Sequence, residues 1–172
     1  MRQLLPFLFA LSTGLFWGLY GPMLTKARLG DAQSSPFKPF VAIGVAYLVI
    51  AILGGLVGMY LKADSFQFTS AGATWGLIAG ALGAIGALTL TLCMFSGGSS
   101  MPHAVMPVVF GGAVAVSALY GILTSAGKVE TSPMLWVGIA GMLACVVIIT
   151  MNAPHAAPPK KPAPTVLQPT RQ

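Results

Sequence analysis

Between Ser65 and Gly127 the chain carries no Asp, Glu, Lys or Arg. A stretch that long has room for two membrane crossings and the turn between them. Inside it, Ala73 to Ala126 reads as two apolar segments joined by the uncharged turn SGGSSMPHAVMP. A helical hairpin in a bilayer follows, and the remaining apolar runs become its packing partners. Composition agrees: 7% of residues are charged and 56% hydrophobic, against roughly 25% charged in soluble domains.

Five apolar runs appear, at about 4–25, 39–61, 73–95, 103–126 and 133–151. They are continuously apolar rather than alternating, which argues against barrel strands, and each approaches the roughly 20 residues a spanning helix needs. The first run is too long for a signal peptide's apolar core and lacks a small-x-small cleavage site, so it is read as a retained helix. Pro39 and Pro133 suit the first turns of their helices. The predicted fold is all-α: a polytopic membrane bundle over residues 1–151, followed by a Pro/Ala-rich disordered tail over 152–172. That tail holds six of the thirteen prolines and little to bury.

The net charge of +6 comes from basic residues scattered singly or in short groups at segment ends. This fits topology signals and contact with lipid headgroups, not nucleic-acid binding. With five crossings, Arg2, Lys62 and Lys128 share one side, while Lys26, Arg28, Lys38, Lys160, Lys161 and Arg171 share the other. The positive-inside bias puts the C-terminus in the cytoplasm and the N-terminus outside.

Glycine spacing suggests how the helices meet. Gly14 and Gly18, Gly54 and Gly58, and Gly76 and Gly80 are each four apart, and Gly83 and Gly86 continue the last stripe. Small residues at this spacing let backbones approach closely in lipid. The expectation is tight packing within the chain; a ligand path lined by bare backbone is the alternative.

No catalytic constellation is visible. All three acidic residues, Asp31, Asp64 and Glu130, lie in connections, and there is no GxSxG, HExxH or phosphate loop. Cys93 and Cys145 sit in apolar runs without a CxxC partner. No enzyme activity, cofactor or metal is expected. The candidate cavity is lined by Trp17, Tyr20, His103, Met106 and Pro107. Pro22 and Pro107 interrupt apolar runs, and broken helices often mark solute sites. An interfacial aromatic belt and a headgroup-level histidine explain the same residues more plainly.

Taken in order, the pieces resemble one repeat of the drug/metabolite transporter superfamily, EamA-like type. The resemblance runs through Trp17-Gly18 with Pro22 and Lys26, the Gly/Ala-rich third run, the turn into MPHAVMPVVFGG, and Glu130 before a last helix with Gly138 and Gly141. It implies a five-helix transporter half. Full members carry two such repeats, and the four-helix small multidrug resistance proteins carry a membrane glutamate in their first helix; this chain has neither. The implied function is movement of a small solute as a homo-oligomer. The alternative is an accessory or scaffold subunit bound to another membrane protein.

Overall fold

The computed structural model describes residues 4–30, 35–125 and 132–154. Five helices follow one another: α1 (Leu5–Gly30), α2 (Phe37–Leu61), α3 (Ser70–Phe95), α4 (Pro102–Thr124) and α5 (Pro133–Asn152). A 3-10 turn, Gly98–Ser100, links α3 to α4. The five are 20 to 26 residues long, and at about 1.5 Å per residue each reaches across the roughly 30 Å hydrocarbon core. Nearly all their large apolar side chains are exposed, and α2 and α5 contain no fully buried residue. Such a surface is stable only where the solvent is itself hydrocarbon. The chain is a multi-pass membrane protein.

Local chemistry accounts for the ends. Thr69 caps α3 by accepting from the Gly72 N–H at 3.2 Å, and Ser132 caps α5 by accepting from the Met134 N–H at 3.2 Å. Beyond α2 the Asp64 N–H donates to the Met59 carbonyl and the Ala63 N–H to that of Tyr60. This double closure needs a left-handed residue at Ala63, whose φ is 51°. Gly97, at φ 127°, turns the chain between α3 and α4. The helix α1 runs five residues past its expected end, taking in Lys26 and Arg28, long side chains of the kind whose apolar stems let a charge extend from a membrane helix toward headgroups. The expected C-terminal tail lies, from residue 155 on, outside the described residues.

Consecutive spanning helices must alternate in direction, so two ends can be told apart. The core end gathers the C-terminal halves of α1 and α3, the 3-10 turn and the start of α4. There Leu24, Leu90, Met94 and Met106 form the buried cluster, joined by Ala87 and Thr91 at 0% exposure. The opposite end is splayed: α1 is exposed from Leu4 to Phe16, and α3 from Ser70 to Leu82. Exposed Tyr60, Trp75, Tyr120 and Trp136 all sit toward this open end, a girdle of the kind that marks a membrane–water boundary.

The glycine expectation is corrected here. A Cβ added at Gly14, Gly18, Gly54, Gly58, Gly76, Gly80, Gly83 or Gly86 would meet no neighbouring atom within 4 Å. Most of these glycines lie in the splayed half, where the chain's own helices have diverged. Close approach occurs instead at Gly21 against Met106, at Gly111 against Val146, and at Gly98 against Cys93.

Candidate functional site

The first helix presents Gly14, Gly18 and Gly21 at four- and three-residue steps, which places them on one face. At Gly21 that face is closed by the buried Met106 side chain. One and two turns further toward the open end the gap widens. It becomes a groove of about 540 Å³ between α1, α4 and α5, with Gly14 and Gly18 on one wall and Met106, Pro107, Phe110, Val146 and Cys145 among those opposite. The far wall holds because α4 and α5 touch closely at Gly111 and Val146.

Both helices that meet at the narrow end are interrupted by proline. Pro22 cannot donate to the Gly18 carbonyl, nor Pro107 to that of His103, so each ladder loses one bond there. Gly18 is itself a wall residue. The lining is otherwise carbon and sulfur, and no charged residue lies on it.

A second groove, of about 320 Å³, separates α1 from α2. Tyr20, Leu24 and Ala27 line it on one side, and Pro39, Ala42 and Ala46 on the other. The Tyr20 hydroxyl is shut off from solvent, and among the described residues its polar neighbour is the Thr91 hydroxyl. The Thr91 hydroxyl beside it donates to its own helix at the Ala87 carbonyl, 2.8 Å away. Tyr20 therefore offers the groove its ring.

The five residues expected to line one cavity are thus divided. Met106 and Pro107 line the α1–α4–α5 groove, and Tyr20 lines the α1–α2 groove. Trp17 lies against Tyr20, with ring centroids 5.5 Å apart and planes at 40°, and lines neither. His103 is exposed in the first turn of α4, outside both grooves, which fits the headgroup-level reading. Sequence reasoning missed Gly21 and Phe110 in these roles. The run Gly14, Gly18, Gly21 was a usable signal for the first; nothing in the sequence marked the second.

Thr13, Thr89 and Thr91 donate to carbonyls of their own helices, so these mid-membrane hydroxyls are not a polar path. Among the described residues, no group of three or more His, Cys, Asp or Glu is placed to hold a metal ion. No protein-family model, curated protein or solved structure matches the chain.

Proposed function

We propose that the chain is a half-size solute transporter on the EamA-like plan, working in the cell's inner membrane with its C-terminus in the cytoplasm. The observation that carries this reading is the α1–α4–α5 groove, which is open along its side and narrows where Pro22 and Pro107 interrupt both bounding helices. Interrupted helices at the base of a cavity are a recurring way to give a solute backbone polar groups within a bilayer. An apolar lining suits a small amphipathic or largely hydrocarbon solute. One chain leaves the groove unwalled, so a second five-helix copy would complete the path.

The second reading is a non-transporting accessory or scaffold subunit. The uncharged run from Ser65 to Gly127 favours it, because no membrane carboxylate is available there to couple transport to protons. The glycine positions without neighbours would then receive another protein's helices. Affinity purification of the full chain from its native membrane, followed by mass measurement, separates the two. Multiples of 17.7 kDa support the transporter half, and a different polypeptide supports the accessory role. A chain that purifies alone overturns both.

A further inference from the structure

The first helix changes character within one turn. From Leu5 to Phe16 every residue of α1 is exposed. From Gly21 onward the helix is fastened: Met106 closes over Gly21, and Leu24 lies in the cluster with Leu90, Met94 and Met106. Pro22 falls at that boundary. It has no N–H for the Gly18 carbonyl, so the ladder is weakest between residues 18 and 22, where the packed half meets the unpacked half.

The wall facing this unpacked half does not share its looseness. Helices α4 and α5 touch closely at Gly111 and Val146, beyond Pro107 in the direction of the open end. The space lies on the α1 side. A Cβ added at Gly14 or Gly18 would meet nothing within 4 Å, and the groove of about 540 Å³ separates both glycines from Phe110, Val114 and Met142. A bare glycine face is the surface on which a membrane helix can approach a neighbour closely. The lever is long enough to use that space. Phe9 lies nine residues before Gly18, so a change of about 20° in the kink carries it about 5 Å. Such a swing breaks no packing within the exposed half; it exchanges lipid contact for helix contact.

We infer that residues 5–17 of α1 form a lid over the α1–α4–α5 groove, hinged between Gly18 and Pro22, with Gly14 and Gly18 as the face on which it closes. The groove, open along its side, corresponds to the raised lid. Lowering it brings the glycine stripe against α4 and α5 and removes the space for a solute. The lid's use as a gate rests on the transporter reading; its motion does not.

The test is electron–electron resonance between two spin labels on the full chain in phosphatidylcholine nanodiscs, with Cys93 and Cys145 replaced by serine. Phe9→Cys on α1 and Leu123→Cys on α4 are exposed and stand on the faces turned away from the groove, so their labels do not obstruct closure. Two populations are expected, about 5 Å apart. Pro22→Ala restores the missing ladder bond and should leave one narrow population. Gly14→Leu puts a side chain into the groove and should leave the longer distance alone, which keeps the test open if Pro22→Ala does not fold. A control pair at the packed end, Leu29→Cys with Met101→Cys, should give one narrow distance throughout. A single narrow distance for the first pair in the parent overturns the lid. So does a second population that survives in folded Pro22→Ala or Gly14→Leu, or a broad control pair, which would mean that α1 moves as a whole. The measurement needs no solute, so the lid stands or falls apart from transport.

Discussion

At the scale of single residues, the glycines separate by what stands opposite them. Gly111 faces the branched side chain of Val146, which cannot swing away because β-branching restricts its rotamers. Gly21 faces the sulfur end of Met106, a flexible side chain able to re-seat. Both Gly111→Ala and Gly21→Ala add a methyl where there is contact, yet the costs should differ. Gly111→Ala should destabilise by about 1–3 kcal/mol, the usual penalty of overpacking. Gly21→Ala should cost less, as Met106 absorbs the overlap. Thermal unfolding of the two variants in one detergent gives the order; the reverse order would mean that Met106 is locked and Val146 is not.

Elements are where the sequence was most readable. The apolar runs predicted five helices, and five are present. Most boundaries agree to within about three residues, because caps and turns are local chemistry. Ser132 followed by Pro133 marks the start of α5, for example. The exception is α1, where Lys26 and Arg28 ended the apolar pattern but not the backbone ladder. Packing was far less legible, for a physical reason. In water the buried face of a helix betrays itself by being apolar, but in lipid every face is apolar. Gly14 and Gly54 look alike in sequence, and a Cβ added at either would meet no neighbour within 4 Å, yet Gly14 borders the groove between α1, α4 and α5. The candidate site suffered likewise. Trp17 and Tyr20 are neighbours on α1, but three residues of helical turn send them to different surroundings. Capping remains testable at this scale. Ser132→Ala removes an acceptor for the Met134 N–H and should cost about 1 kcal/mol. Ala63→Gly should act in the opposite direction, since glycine holds the left-handed position without the roughly 1–2 kcal/mol strain of a Cβ. Melting temperatures moving the same way in both variants would contradict the assigned ends.

For the whole molecule, the packed end and the splayed end pose the question of what finishes the bundle. The buried cluster of Leu24, Leu90, Met94 and Met106 holds α1, α3 and α4 together at one end. At the other, a Cβ added at Gly54, Gly58, Gly76 or Gly80 would meet no atom of the described residues within 4 Å. Small residues in a membrane helix have two possible consequences. If they are truly unopposed, replacing them by larger residues is harmless or stabilising, because glycine is a poor helix former by about 1 kcal/mol. If another polypeptide packs there, the same replacement pushes that partner away. These consequences are separable on a single variant. Gly80→Leu should leave the melting temperature of the isolated chain unchanged or slightly higher, in contrast to Gly111→Ala. The same Gly80→Leu chain, purified from its native membrane, should lose the companion mass that accompanies the parent. A lower melting temperature for isolated Gly80→Leu would show that α3 packs within the chain after all. An unchanged companion mass would place the assembly contact elsewhere on the bundle.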